Sequence, residues 1–268
     1  MDLLDLPLTD LPFVVVDVET TGLRPKHDRI VEVAVAEGRG ARVEELLIDT
    51  LVDPGRDVGP TYVHGVTAEM VLGAPRLAEL APAIASAMHR GVVVGHNLSF
   101  DLRFLEAEAG SAGVGTFSNV PRLCTLSLAR RFFRHAFDSY KLESLCARLG
   151  LVNRKAHSAA EDALVTAELL GRLLGEAAQR GMQTFGDLVR AGATQVGCDR
   201  GFGRPRFPIV RQQPRTRVAP ELQQRRGSFM SKLLEVRSDG SRHDGHEQLD
   251  MYLELLDRIL RRPNDRPR

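Results

Sequence analysis

Two carboxylates stand two residues apart at the end of an apolar run, residues 14–16, and they are the first sign of chemistry in this chain. Side chains at positions i and i+2 of a β-strand point to the same face, so Asp17 and Glu19 should converge where the strand ends in a Thr-Thr-Gly turn. Neighbouring carboxylates repel each other, and a divalent cation between them removes that repulsion. Taken alone, the pair could equally be solvated acids at the rim of an ordinary strand.

Further acidic and imidazole residues follow in order along the chain. Asp101 lies in the run Gly-His-Asn-Leu-Ser-Phe-Asp, and His157 and Asp162 lie in the run His-Ser-Ala-Ala-Glu-Asp. With Asp17 and Glu19, the two later aspartates provide four carboxylates. Such an all-oxygen set suits Mg²⁺ or Mn²⁺ and does not suit zinc.

In type, order and spacing, these residues resemble the DnaQ-like DEDD exonucleases, the family that includes proofreading subunits of bacterial replicative polymerases. The last motif reads His-x-Ala-x-x-Asp, which is the form of the histidine subgroup, DEDDh. The resemblance also covers the His-Gly-Val-Thr motif at 64–67 and the segments 124–130 and 140–150, so that it extends over about residues 10–178. The first motif and the His-Gly-Val-Thr motif are most similar to the polymerase III epsilon group.

The resemblance implies an α/β, RNase H-like (exonuclease) fold, in which a mixed five-stranded sheet with strand one at its centre carries helices on both faces. It implies 3′→5′ exonuclease activity on DNA with two Mg²⁺ or Mn²⁺ ions, releasing nucleoside 5′-monophosphates. In this family pattern Asp17 bridges both ions, Glu19 and Asp162 complete one site, and Asp101 serves the second. His157 is the expected general base.

The resemblance also places five residues against the substrate. Thr20 and Leu23 are expected at the terminal nucleotide, with Leu23 as an apolar wedge between the last bases. His64 is expected on the substrate side, and Asn97 and Phe104 are expected to line the same cleft. Leu23 and Phe104 could instead belong to the core, and Asn97 could bond to the backbone of its turn.

Two other functions stay open at this stage. The same acids occur in exoribonucleases that trim short RNA, although those enzymes usually carry a Met in the turn after the Glu, where this chain has Thr. The chain could also be a nucleic-acid or replisome binding module whose catalytic site is vestigial. Metal-dependent release of nucleotides separates an enzyme from a binding module.

The pattern of apolar residues predicts the elements that position these groups. Ser158 and Glu161 have the spacing of a capping box, which would open a helix running to about Gln179. Gly150 is expected to end the helix before it. The predicted strands span residues 12–18, 29–36, 43–48 and 92–95, and the other predicted helices span 77–88, 123–133 and 140–149, with one more starting at Ser99.

Charge is unevenly distributed along the chain, although the formal net charge is only +1. Residues 1–189 contain 19 Lys/Arg and 25 Asp/Glu, whereas residues 190–248 contain 12 and 6. The basic segment could attract nucleic acid, or it could serve solubility as a disordered stretch. We therefore predict an exonuclease domain at 1–180, a basic flexible linker at 181–246 and an amphipathic C-terminal helix at 247–268.

The C-terminal residues suggest protein partners, and the cysteines indicate the cellular compartment. The peptide Gln248 to Tyr252, with its Gln-Leu-x-Met-aromatic pattern, resembles the short motif that docks replication proteins on the sliding clamp, but it also fits the start of the C-terminal helix. A polymerase subunit is the other expected partner. The chain has three cysteines, no apolar stretch that could span a bilayer and no signal peptide, which together predict a cytoplasmic protein without a membrane partner.

Overall fold

Alternating and continuous apolar runs form the strands of one sheet in the computed structural model. The structure describes residues 2–111, 120–153 and 157–192. The first three strands are long because residues 12–51 contain two apolar runs and one alternating run separated by short turns. The last two are short and buried. The strands are β1 (Pro12–Thr20), β2 (Ile30–Arg39), β3 (Arg42–Leu51), β4 (Val92–Gly95) and β5 (Arg122–Cys124).

The strand order is β3-β2-β1-β4-β5, with β1 at the centre. β2 pairs antiparallel with both β1 and β3, whereas β4 is parallel to β1 and β5 is parallel to β4. The carboxyl ends of β1, β4 and β5 therefore lie at the same edge of the sheet. The prediction of a mixed five-stranded sheet with a central first strand is confirmed.

Seven helices are formed by the described residues, and they cover both faces of the sheet. The helix predicted at 123–133 starts later, because the segment 122–124 pairs with β4 as a strand before the helix begins at Thr125. The helices are α1 (Thr61–His64), α2 (Leu77–Met88), α3 (Ser99–Ser111), α4 (Thr125–Phe132), α5 (Leu142–Leu149), α6 (Ala159–Gln179) and α7 (Phe185–Arg190).

The pleat of β1 divides its side chains between two apolar clusters. Phe13 and Val15 belong to the cluster that includes α4 and α6. Val14 and Val16 belong to the opposite cluster, with α2 and α3. Since Asp17 follows Val15 by two residues, it continues the row that faces α6. The core packing therefore fixes which face of the sheet carries the acids.

Helix ends show one confirmed and one corrected prediction. Gly150 ends α5 with a φ of 68°, the left-handed conformation that glycine adopts without steric cost. Ser158 precedes α6, as predicted, but its side chain accepts no capping hydrogen bond. The predicted capping box with Glu161 is therefore absent, and another carboxylate, described below, meets the start of α6.

The packed part of the chain continues beyond the predicted boundary at residue 180. Thr184 pairs with Pro7 in an isolated bridge, and the side chains of Thr184 and Asp187 form a capping box that opens α7. Phe185 and Leu188 are buried in the main cluster. Residues 181–192 therefore belong to the folded domain because α7 packs on the N-terminal turn Leu3–Asp5.

The remaining predictions for the C-terminal part concern residues that the structure does not describe. These are the rest of the linker to residue 246, the helix at 247–268 and the peptide Gln248 to Tyr252. Within the described ranges, no helix is both long enough and apolar enough to cross a bilayer.

Candidate active site

The end of β1 presents Asp17 and Glu19 toward α6. Glu19 stands opposite Glu32 of β2, and after this pair the register shifts so that Thr20 is opposite Ile30. This irregularity ends the regular pairing just beyond Glu19, and bulges of this kind redirect side chains next to active sites. Both acids of β1 are half-buried, so they can reach a bound ion or substrate.

Asp162 enters the site from the first turn of α6. Its Oδ2 accepts the backbone N–H of His157 at 3.0 Å, and its Oδ1 accepts the side-chain amide of Asn153 at 2.7 Å. His157 adopts a positive φ of 63°, so the chain turns sharply immediately before the helix. These bonds fix the orientation of the Asp162 carboxylate and hold His157 beside it.

Asp101 enters from the first turn of α3, directly after β4. It is only 4% exposed, and its Oδ1 accepts the backbone N–H of Val18 at 3.2 Å. Val18 lies between Asp17 and Glu19 on β1. The third predicted acid is therefore joined to the strand that carries the first two.

One compact group of possible ligands results from this arrangement. Glu19, His157 and Asp162 each offer a ligand atom, and these atoms lie within 4.8 Å of one another. The charges of Asp101 and Asp162 also act on Asp17. Oxygen-rich clusters of this composition suit Mg²⁺ or Mn²⁺, so the donor set fits the ions predicted from the sequence.

The acids have raised pKa values, for which burial is the main cause. Burial raises the pKa of Asp17 well above its usual range, with further increases from the charges of Asp101, Asp162 and Glu19. Burial also raises the pKa of Glu19, and the charges of Asp162 and Glu32 add to the effect. A bound cation would offset both burial and mutual repulsion, and would therefore stabilise the ionised carboxylates.

The pKa of Asp101 is raised to about 8, again mainly by burial. Asp162 also has a raised pKa because it is buried, but the hydrogen bond from Asn153 and the nearby His157 oppose the increase. Hydrogen bonds favour the charged form of both aspartates, from the Val18 N–H to Asp101 and from Asn153 and the His157 N–H to Asp162, but burial outweighs them.

Sequence reasoning missed two residues that support the site, Glu32 and Asn153. Glu32 is an acid within the otherwise apolar strand residues 30–36, which is a signal that could have drawn attention to it. Asn153 lies in a loop after α5, and no local pattern connects it with Asp162. Its contact depends on the tertiary fold.

The turn after β1 carries two of the predicted substrate residues. Thr20 is buried, and its hydroxyl donates to the carbonyl of Gly22 at 2.6 Å, so its side chain shapes the turn. Leu23 is half-buried on the same turn. Asp28 braces the turn by accepting the Arg24 N–H at 2.9 Å. Leu23 therefore stays a candidate wedge, whereas the Thr20 hydroxyl is bonded within the turn.

His64, the last residue of α1, has a structural role because it bonds to the loops on either side of this helix. It is 6% exposed, its Nε2 lies 3.2 Å from the Val58 carbonyl, and its Nδ1 accepts the Val66 N–H at 3.0 Å. Burial lowers its pKa, which is consistent with a neutral ring that donates from Nε2. Because both ring nitrogens bond to backbone, the predicted substrate contact of His64 is corrected to a loop-positioning role.

The other two predicted substrate residues differ in exposure. Phe104 is 0% exposed and lies in the cluster formed with α2, so the prediction that it lines the cleft is wrong and its core alternative holds. Asn97 is half-buried, with a φ of 67°, and its carbonyl accepts the Phe100 N–H at the start of α3. Its side chain is still a candidate for substrate contact.

Comparison with known proteins identifies the family of the chain. The exonuclease family of the RNase T type matches residues 14–170, and the chain therefore belongs to this family, whose fold is RNase H-like. It is 40% identical over 193 residues to a DNA polymerase III subunit epsilon-like protein of Rhodobacter capsulatus, a match covering 70% of this chain and 27% of that protein. It is 31% identical over 171 residues to the DNA polymerase III subunit epsilon of Aquifex aeolicus, covering 63% and 83% respectively.

Solved structures share the fold. Exonuclease X in complex with 5′ overhanging duplex DNA is 25% identical, with a TM-score of 0.50, and the match covers 63% of this chain and 93% of that one. Exonuclease I of E. coli in complex with a dT13 oligonucleotide has a TM-score of 0.57 at 19% identity, covering 64% and 42%, and this likeness concerns the fold alone. The chain spans about a quarter of the R. capsulatus relative and 12% of the PolC-type DNA polymerase III of Thermotoga maritima.

Proposed function

We propose that this protein is a metal-dependent 3′→5′ exonuclease of the DEDDh type, which releases nucleoside 5′-monophosphates from the 3′ ends of DNA. The observation that carries the proposal is the convergence of Glu19, His157 and Asp162, whose ligand atoms lie within 4.8 Å of one another. Asp17 and Asp101 flank this group from β1 and α3. The proposal assigns all five positions of the family pattern to one site.

The four carboxylates, Asp17, Glu19, Asp101 and Asp162, would hold two Mg²⁺ or Mn²⁺ ions. When bound, a pair of such ions supplies an activated water and stabilises the charge on the leaving 3′ oxygen. Asn153 and the His157 N–H keep the Asp162 carboxylate in a fixed orientation for this role.

His157 is the proposed general base. A ring nitrogen of His157 would take the proton of the attacking water, because this half-buried side chain lies beside Glu19 and Asp162. Because the backbone N–H of His157 donates to Asp162, the Cα of His157 is held in place beside the site. The half-buried Leu23 on the neighbouring turn is the proposed contact of the terminal base.

DNA is the proposed substrate. The relatives at 40% and 31% identity carry the names of DNA polymerase III subunit epsilon proteins, and Exonuclease X was solved with duplex DNA. We also propose a replication or repair setting, with a polymerase subunit or the sliding clamp as partner of the tail. The cysteines of the described part, Cys124 and Cys146, are free and buried, which supports work in the reducing cytoplasm.

Digestion of DNA and RNA oligonucleotides with the same sequence and a 5′ label tests the proposal. In Mg²⁺ or Mn²⁺, the full chain should shorten the DNA stepwise from its 3′ end and release 5′-monophosphates, whereas Asp17→Asn should not. Faster digestion of RNA would assign the site to exoribonuclease activity. Absence of release from both polymers would leave a nucleic-acid binding module as the function.

A further inference from the structure

Glu32 is a fifth carboxylate at the site, outside the family pattern from which the other four were recognised. It is 3% exposed and stands directly opposite Glu19 in the antiparallel pair of β1 and β2. Opposite residues of such a pair project to the same face of the sheet, so Glu32 points toward α6 with Glu19. A buried acid on this face requires a specific role, because burial of an ionised carboxylate is costly unless it is hydrogen-bonded.

The start of α6 provides that hydrogen bond. The N–H of Ala159, the first residue of the helix, donates to Oε2 of Glu32 at 3.3 Å. The first N–H groups of a helix lack partners within the helix, and they favour negative charge. Ser158 stands at the position from which a side chain normally caps a helix, but it makes no such bond. Glu32 therefore supplies, from the sheet, a contact that the local sequence does not supply.

We infer that Glu32 is a positioning residue that anchors the start of α6 to β2 and thereby places His157 and Asp162 against Asp17 and Glu19. Ala159 lies between His157 and Asp162 along the chain, so a shift of its backbone would move both. The contact spans 127 positions of sequence and joins the strand beside Glu19 to the helix that carries Asp162. The kinetic consequences rest on the proposed function, whereas the structural contact can be tested without it.

Glu108 of α3 offers a matched control, because it contacts the same strand as Glu32. Its Oε1 accepts the backbone N–H of Ile30, the first residue of β2, at 2.7 Å, and burial is the main cause of its raised pKa. This bond also joins a side chain to a distant backbone N–H. It does not involve α6, so its loss should reduce stability without displacing His157 or Asp162.

Two substitutions at Glu32 test the effect of side-chain length independently of the effect of charge. Glu32→Gln keeps the length and an oxygen acceptor but removes the charge, whereas Glu32→Asp keeps the charge and is one methylene shorter. The same two substitutions at Glu108 form the control. Hydrogen exchange of the Ala159 amide is measured in the metal-free full chain, and kcat and KM on single-stranded DNA are measured at saturating Mn²⁺.

Glu32→Asp should accelerate exchange of the Ala159 amide at least about tenfold, because the anchoring bond is lost. It should lower kcat by about 10- to 100-fold, the usual effect of removing a group that orients a metal ligand. KM should change by less than about threefold, and Glu32→Gln should restore both exchange protection and most of kcat. Both Glu108 variants should melt at lower temperature while keeping the wild-type exchange rate at Ala159 and the wild-type kcat.

Unchanged exchange at Ala159 in Glu32→Asp would overturn the inference. So would a Glu32→Gln protein as impaired as Glu32→Asp, since the charge and not the acceptor would then matter. An equal loss of kcat in Glu108→Asp would also overturn it. If the wild-type chain digests no nucleic acid, the proposed function fails, and the exchange rates alone decide the role of Glu32.

Discussion

Replacing Asp101 with asparagine should stabilise the metal-free protein at alkaline pH. The buried carboxyl of Asp101 has a pKa of about 8 in the folded chain, compared with an ordinary value of 3.8. Because the folded pKa is raised, the stability associated with the protonated group is fully present below pH 3.8 and is lost as pH rises toward 8. Asparagine cannot ionise, and its carbonyl oxygen can still accept the Val18 N–H.

The size of the effect follows from the linkage between protonation and folding. Each pH unit between the two pKa values costs about 1.4 kcal/mol, which gives a ceiling of about 4 kcal/mol between pH 5 and pH 8. Water penetration and relaxation around the charge reduce this ceiling, so an advantage of about 1–2 kcal/mol for the variant is expected. For a domain of this size, that corresponds to an increase in Tm of roughly 2–8 °C.

Thermal melting in EDTA at pH 5 and at pH 8.5 provides the assay, with Asp187→Asn as control. Hydrogen bonds from the Thr184 backbone and from Arg190 hold the pKa of Asp187 below its usual range, so its removal should destabilise the protein at both pH values. Added Mn²⁺ should raise the Tm of the wild type more than that of Asp101→Asn, because binding to the folded state adds stability. The reasoning is refuted if Asp101→Asn melts at or below the wild-type temperature at pH 8.5 in EDTA.

Three further substitutions test individual contacts. Asn153→Leu removes the 2.7 Å bond to Asp162 and should lower kcat about 10- to 100-fold; wild-type kcat and Mn²⁺ dependence would contradict the positioning role. His64→Ala leaves two buried backbone groups without their ring partner and should cost about 1–3 kcal/mol in urea unfolding, so an unchanged unfolding midpoint would argue against the loop role. Phe104→Ala should cost about 3–5 kcal/mol of unfolding free energy, while the KM for DNA of the folded fraction stays at the wild-type value. A raised KM without loss of stability would instead support the prediction that Phe104 lines the substrate cleft.

Local sequence patterns predicted those parts of the fold that depend on neighbouring residues. The alternation of β1 placed Asp17 and Glu19 on one face, and the apolar spacing of α2 gave both of its ends, Leu77 and Met88. The third and fourth acids, Asp101 and Asp162, were recognised because their motifs resemble those of the exonuclease family. In the structure, each lies in the first turn of its helix, α3 or α6.

Contacts between distant segments could not be predicted in the same way. The Ser158 capping box fitted the local pattern, but the sheet brings Glu32 to the Ala159 N–H, and this tertiary contact replaces it. His64 and Phe104 were assigned to the substrate by resemblance. Only the packing of the loop and of α3 shows that their side chains are buried.

Mn²⁺-dependent digestion of a 3′-terminated DNA strand by Asp162→Asn and Glu161→Gln is the decisive test of the proposed active site. Both substitutions remove one carboxylate from the first turn of α6, but only Asp162 has its carboxylate in the cluster with Glu19 and His157. Glu161→Gln should release mononucleotides at close to the wild-type rate, whereas Asp162→Asn, although folded, should release almost none. Comparable activity in the two variants would contradict the assignment of the active site.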